Sequence, residues 1–148
     1  QLADEQYRST KVAEDREDAR QVLHRAYWRL GVVQTRRDQA ADAVAALEKA
    51  KALQATAEVL TDLGLARRKQ GDIVRAEAEF RAALAQNGKL HSARLHLAST
   101  LAGTNRCEDA IRELALLPPD PQLQETTNRI KQRCDYDRQM KSRAQPAK

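Results

Sequence analysis

Cys107 and Cys134 are the residues of this chain whose type and spacing point to a covalent bond. Cys107 begins one predicted helix and Cys134 lies late in the next, and an antiparallel neighbour brings those two ends together. A disulfide would close a loop of 27 residues and stabilise the fold by about 3 kcal/mol. It would also indicate an oxidising compartment such as a periplasm. Two buried free thiols in a cytosolic protein are the alternative interpretation.

The three histidines, His24, His91 and His96, do not combine with the cysteines at a metal-ligand spacing. His91 and His96 are five positions apart, which places them on different faces of a helix. We therefore expect neither a metal site nor a cofactor. Each histidine is interpreted as a surface or packing residue.

Catalytic motifs are absent from the sequence, which has no glycine-rich phosphate loop, no Gly-x-Ser-x-Gly and no His-Glu-x-x-His. Carboxylate pairs are expected on the polar faces of amphipathic helices, as solvated charge. These pairs are Asp15/Asp18, Glu77/Glu79 and Glu108/Asp109. No serine or cysteine nucleophile has an evident base beside it. We predict that the protein is not an enzyme.

Basic residues exceed acidic residues by 26 to 21, and most of the surplus lies near the carboxyl end. Residues 121–148 hold seven bases and three acids, whereas residues 1–20 hold four bases and six acids. Proteins that bind single-stranded nucleic acid usually add stacking aromatic residues to a basic surface. The basic segment has only Tyr136. We expect a solvated cap and tail here, with nucleic acid as the less favoured partner.

The composition favours a stack of helices. The chain has 148 residues, of which 41% are hydrophobic and only 3% aromatic, as in an alanine- and leucine-rich helical domain rather than a β-sandwich or barrel. No apolar run approaches the roughly 20 residues needed to span a bilayer. No signal peptide is evident either, and the polar start fits a mature end after cleavage or a boundary inside a longer protein.

Arginine outnumbers lysine by 18 to 8 and alanine is abundant, as in proteins from high-GC bacterial genomes. A bacterial envelope or secretion assembly is therefore the setting that we favour. A periplasmic or envelope-associated location is preferred slightly over the cytoplasm.

A pattern of small and large apolar residues occurs three times along the chain. The copies are Leu30-Gly31, Ala43, Leu47 and Ala50; Leu63-Gly64, Ala76, Phe80 and Ala83; and Leu97-Ala98, Ala110 and Leu114. The step from Gly31 to Gly64 is 33 residues, and that from Gly64 to Ala98 is 34. Such a period is typical of stacked helical repeats.

The middle copy predicts a hairpin of two helices. A first helix runs from about residue 58 to 70, with Leu60 and Leu63 on one face. Gly71 can end that helix in the left-handed conformation, and the Asp72 side chain can cap the next one. Asn87-Gly88 then stops the second helix.

Residue size sets how closely the paired helices approach. Gly64 and Ala76 are small enough for the two backbones to come near each other, and Phe80 fills the space between hairpins. The alternation of small and large side chains therefore predicts a tightly packed hairpin.

These residues resemble the tetratricopeptide repeat. The resemblance covers residues 24–124 as three repeats, 24–56, 57–90 and 91–124. It implies an all-α fold, a right-handed α-solenoid of about three helix-turn-helix repeats. Gln34 and Arg67 stand where the family prefers an aromatic residue, and Arg94 stands at a place that is usually large and apolar.

Two terminal segments flank the repeats. Residues 1–23 are predicted to be a polar extension of the first helix, because an apolar stripe from Ala19 to Val33 continues back from the first repeat. Pro118-Pro119-Asp120-Pro121 breaks the chain before a mostly polar helix. We predict a capping helix and basic tail over residues 125–148, since a terminal repeat needs a polar outer face.

The resemblance also implies a concave groove lined by the first helix of each pair. The places that would face it are Arg25, Trp28, Val32, Thr35 and Arg36; Glu58, Thr61, Leu65, Arg68 and Lys69; and Ser92, Leu95, Ser99 and Ala102. Trp28 is either a partner contact or packed core. Some family members clamp a terminal carboxylate with Lys and Asn, but Trp28 and Val32 hold those places here. We therefore do not expect a chaperone-tail adaptor.

The sequence favours a non-catalytic interaction module or scaffold that binds a peptide or partner helix in the groove. One alternative is a self-associating structural module, a homo-oligomer formed through the N-terminal helix. The other is an RNA-binding helical repeat.

Overall fold

The computed structural model describes residues 2–144, and all regular secondary structure within them is helical. Residues 1 and 145–148, which include the end of the predicted basic tail, lie outside the described residues. The seven helices are α1 (Leu2–Arg36), α2 (Ala40–Leu53), α3 (Ala57–Gln70), α4 (Ile73–Gln86), α5 (His91–Gly103), α6 (Cys107–Ala115) and α7 (Pro121–Ala144).

The helices form two layers of an α-solenoid. Successive helices pair as α1 with α2, α3 with α4 and α5 with α6. In addition, α1 contacts α3, α3 contacts α5 and α5 contacts α7, whereas α2 and α4 meet through the side chains of Lys51 and Glu79 and their backbones stay further apart. We call α1, α3 and α5 the inner layer. Because the backbones of its helices approach one another more closely than those of α2 and α4, the stack is concave on the inner side.

The turn between α3 and α4 follows from local chemistry. Thr56 caps α3 by accepting a hydrogen bond from the Val59 amide at 3.2 Å. Gly71 ends α3 with φ 90°, and the Asp72 carboxylate accepts from the Arg75 amide at 3.2 Å. The predicted roles of Gly71 and Asp72 are confirmed.

The small residues of the pattern lie where two helices touch. A Cβ added at Gly64 would stand 2.6 Å from Cε1 of Phe80, which is closer than carbon atoms can approach. Gly31 faces the Leu47 side chain in the same way. Both large partners are fully buried. The predicted alternation of small and large side chains is therefore confirmed.

Charged residues replace part of the core between α2, α3 and α4. Arg67 is 8% exposed and its guanidinium pairs with Glu48. Glu79 is equally buried and lies 2.8 Å from the Lys51 ammonium and 3.8 Å from Arg67. The expectation that Glu79 is solvated was wrong. Mutual pairing makes the burial of these charges tolerable.

The first helix is continuous through the predicted boundary between residues 23 and 24. Residues 2–23 are all exposed. The stripe that continues from them is also open to solvent, with Val22 61%, Leu23 49% and Leu30 46% exposed. The backward extension of the first helix is present, but much of its apolar stripe remains exposed.

The last helix closes the opposite end. It begins at Pro121, where the missing amide costs nothing, and the Asp120 carboxylate accepts from the Gln122 amide at 2.8 Å. Ile130 and Cys134 are buried against α5 and α6. Cys134 is bonded to Cys107 through their sulfur atoms, with 5.4 Å between the two Cα atoms. The division of the chain at residues 23/24 and 124/125 stays a prediction.

Candidate functional site

A band of half-buried apolar side chains runs across the inner layer. Trp28 and Val32 contribute from α1, Leu65 from α3 and Leu95 from α5. Each stands at a place that the sequence had assigned to the groove. The three helices contact one another in order, so these side chains lie on adjacent helices of the inner layer.

Trp28 holds α1 and α3 together as well as facing the groove. Its indole N–H donates to the Asp62 carboxylate at 2.7 Å, and its ring packs on the cluster that contains Leu47 and Leu63. Burial raises the pKa of Asp62, while the Trp28 hydrogen bond and the nearby Arg36 charge oppose the rise. The ring is therefore fixed in orientation and remains partly exposed.

A shallow cavity of about 440 Å³ lies along α1 beside this tryptophan. We call its lining the α1 patch: Arg25, Trp28, Arg29, Val32, Val33 and Arg36. Acidic side chains are absent from this lining. Sequence reasoning missed Arg29 and Val33, although both follow Arg25 at intervals of four residues and so share its helix face.

Two basic residues predicted for the groove are already engaged within the protein. Arg68 reaches from α3 to α5, with Nη1 3.4 Å from the His96 carbonyl and 3.5 Å from the Thr100 hydroxyl. Burial lowers the pKa of Arg68. Lys69 lies 2.5 Å from the Asp38 carboxylate, in the connection after α1. Both side chains therefore tie elements together before any partner arrives.

Three other predicted groove residues offer almost no surface. Thr35 and Thr61 are 5% exposed and donate to the carbonyls of Gly31 and Ala57 at 2.8 Å. Ala102 is 1% exposed. We correct the expectation for these three, because a partner cannot reach their side chains.

The remaining predicted positions are open. Arg25, Arg36, Glu58 and Ser92 are exposed, and Ser99 is half-buried. The serines leave space along α5, and their hydroxyls can donate or accept hydrogen bonds. The accessible groove is thus basic and apolar near α1 and becomes small and polar near α5.

The histidines pack within the helical stack. The ring of His96 stacks on Phe80 with centroids 5.7 Å apart. Burial, together with the Arg68 charge, lowers the pKa of His96 to about 4. His24 is 6% exposed, and its Nε2 lies 3.1 Å from the Gln54 carbonyl. Both rings have structural partners on a neighbouring helix or loop.

Within residues 2–144, every helix is too short or too polar to cross a membrane.

Known proteins show two similarities to this chain. Residues 67–127 match the family model of the tetratricopeptide repeat. The fold is similar to the solved structure of the Yersinia enterocolitica type III secretion chaperone SycD in complex with a peptide of the translocator YopD. That match has a TM-score of 0.68 and 17% sequence identity, and it covers 79% of this chain and 93% of the chaperone chain. No curated protein matches this chain in sequence.

The matched segment takes in the last turn of α3, all of α4, the third hairpin and the start of α7. The first hairpin repeats the same contact between a glycine and a large side chain. Residues 67–127 are therefore a segment of the tetratricopeptide repeat family.

Proposed function

We propose that this protein is a non-catalytic interaction module that holds a peptide or partner helix on its inner layer. The band formed by Trp28, Val32, Leu65 and Leu95 carries this proposal. Half-buried apolar side chains that are fixed by the core lose little entropy when a partner covers them. A preformed apolar band with polar and charged edges is a suitable docking surface.

The fold supports the same proposal. The structurally similar chaperone was solved with a translocator peptide, and its fold is shared over most of both chains. A concave layer of the same architecture is therefore available here. A bacterial envelope or secretion assembly is the setting that we propose for it.

Self-association is a second candidate function. It is favoured by the stripe on α1, where Val22, Leu23 and Leu30 are each at least 46% exposed. A second copy could cover these side chains along the helix. Sedimentation velocity over a hundredfold range of concentration would test this candidate, because a single monomeric species at every concentration would contradict it.

Selection from a random peptide library would test the groove directly. Peptides that bind the protein should slow hydrogen exchange in α1, α3 and α5 and leave α2 and α4 unchanged. Leu65→Ala should weaken the binding of such peptides, whereas Val74→Ala should not. Val74 is the matched control, because it is an apolar residue 81% exposed on α4.

Half-buried Leu65 also contributes to packing, so a second variant keeps the test decisive. Ser92→Arg with Ser99→Arg adds two large side chains to the part of the groove formed by α5. These substitutions remove few contacts from the core. Equal binding by this variant and the unmodified protein would contradict the proposed function. Protection confined to the outer layer would contradict it too.

A further inference from the structure

We propose that the α1 patch recognises an acidic segment of the partner, with an apolar side chain of that segment beside Trp28 and carboxylates on the surrounding arginines. This inference rests on the proposed function and specifies the partner for one end of the groove. The partner segment carries at least one large apolar residue between acidic residues.

The geometry of the patch sets the length of the segment. Arg25, Arg29 and Arg36 lie on one helix at intervals of four and seven residues, which brings them to one face. At 1.5 Å per residue the outer two are about 16 Å apart along the axis. About five residues of extended peptide cover that distance.

The charges of the patch lack internal compensation. Neither Arg25 nor Arg29 forms an ion pair or a side-chain hydrogen bond in the described part of the chain. Arg36 lies near Asp62, whose carboxylate already accepts from Trp28. The patch therefore presents three cationic groups to a ligand, of which one is partly balanced.

Two arginines in the C-terminal half of the protein are instead paired with carboxylates on other helices. Arg94 lies 2.6 Å from Glu113, and Arg106 pairs with Glu77 on another helix. These pairs join helices of the stack and leave little free charge. Unlike Arg94 and Arg106, Arg25 and Arg29 do not join two elements of the described chain through an ion pair. Their charge is available for a partner.

The chemistry of the lining favours a peptide over a nucleic acid. An arginine fork binds a carboxylate through two parallel hydrogen bonds. Phosphates would also attract the arginines, but proteins that bind single-stranded nucleic acid add several aromatic rings on which successive bases stack. The patch has one aromatic ring, and Val32 and Val33 form the rest of its apolar surface. Valine side chains favour an aliphatic or aromatic anchor residue from a protein.

Trp28 makes the test simple, because it is the single tryptophan of the chain. The probe is a 12-residue peptide that contains two leucines flanked by glutamates and has blocked ends. The matched control peptide carries glutamine in place of every glutamate. We expect a saturable change of Trp28 emission with the acidic peptide and at least tenfold weaker binding of the control peptide. Affinity should also fall as NaCl rises, because salt screens exposed charges.

Variants of the protein locate the contact. Arg25→Gln with Arg29→Gln and Arg36→Gln should weaken binding of the acidic peptide at least tenfold. Arg8→Gln with Arg16→Gln and Arg133→Gln is the control with the same change of charge at exposed positions. It should change affinity by less than twofold. Circular dichroism and the thermal midpoint establish that both variants fold.

The outcomes separate this inference from the proposed function. Equal loss of binding in both triple variants would overturn the inference, since net charge alone would then explain the affinity. A single-stranded oligonucleotide that binds the patch more tightly than the acidic peptide would overturn it as well. If library peptides bind in a Leu65-dependent manner while the acidic peptide does not bind, the proposed function stands and the inference fails. If no library peptide binds, the proposed function itself fails.

Discussion

The two ends of this solenoid differ in how they are closed. At the C-terminal end α7 buries Ile130 and Cys134 and is bonded to α6 through Cys107. At the N-terminal end α1 leaves its first 22 described residues, 2–23, exposed. A helical repeat must cover its last apolar face in some way. The C-terminal end does so within its own chain, while the N-terminal end leaves an apolar stripe and a cationic patch open.

The contacts that hold α1 explain how it stays in place despite this exposure. Arg20 donates to the Leu53 carbonyl at 2.7 Å, and His24 meets the Gln54 carbonyl. Trp28 then reaches Asp62. These contacts lie in the second half of the helix, so the first half contributes nothing to packing within the described chain. We infer that the open end serves binding and the closed end serves stability.

Removal of the disulfide should have the largest effect on stability. Cys107→Ala with Cys134→Ala should lower the free energy of unfolding by about 3 kcal/mol, because the bond closes a loop and holds the cap. Urea unfolding of the oxidised protein, the reduced protein and this variant measures the effect. Hydrogen exchange should accelerate in α7 and stay unchanged in α1. A loss below about 0.5 kcal/mol would mean that buried contacts alone close this end.

Gly31→Ala tests whether the open end is nevertheless tightly anchored. The new methyl group would overlap the Leu47 side chain, so we expect a loss of about 1–3 kcal/mol. Gly103→Ala is the matched control, since a Cβ there meets no atom within 4 Å. Thermal unfolding of both variants measures the difference. Equal midpoints would show that α1 and α2 are loosely packed.

Lowering the pH should reduce the free energy of unfolding, because His96 resists protonation in the folded protein. Its pKa is about 4 in the folded protein, below the usual value of about 6.5 in an unfolded chain. Between these values the unfolded state binds more protons, so stability falls as the pH drops from 7 towards 4. His96→Gln should remove up to about one proton from the pH dependence of unfolding. Urea unfolding at pH 7, 6 and 5 measures the free energy of unfolding of both proteins. If it depends on pH equally in His96→Gln and in the unmodified protein, His96 is not a buried neutral imidazole.

Deletion of residues 1–17 should have the smallest effect. Residues 2–17 are exposed throughout, so we expect the free energy of unfolding to change by less than about 0.5 kcal/mol. Calorimetry of the shortened protein checks this. A loss above about 1 kcal/mol would show that the first half of α1 packs against a second copy of the protein or against the rest of its own chain.

Local features of the fold were predictable from the sequence because their causes are local. Gly71 ends α3 and Asp72 caps α4 through atoms within a few residues of each other. The pairing of Arg67 with Glu48 was not predictable, because its partner lies on the preceding helix. Periodicity likewise identified the stripe on α1, but periodicity does not show whether another element covers it.

The candidate site was predictable to a similar extent. The positions of Trp28 and Val32 follow from the repeat pattern, because helix spacing alone decides which face they take. Lys69 faces the groove by the same rule, yet its ammonium group is bound by Asp38. Which arginines remain free depends on contacts between distant residues. Periodicity assigns a face to each side chain and leaves its partner undetermined.

The position of a bound peptide is the most direct test of the account. A nitroxide label on the acidic peptide should broaden the amide resonances of α1 and of the inner surface of α3, with the strongest effect near Trp28. Resonances of α7 and of the outer layer should keep their intensity. Broadening centred on α7 instead would contradict the assignment of binding to the open end.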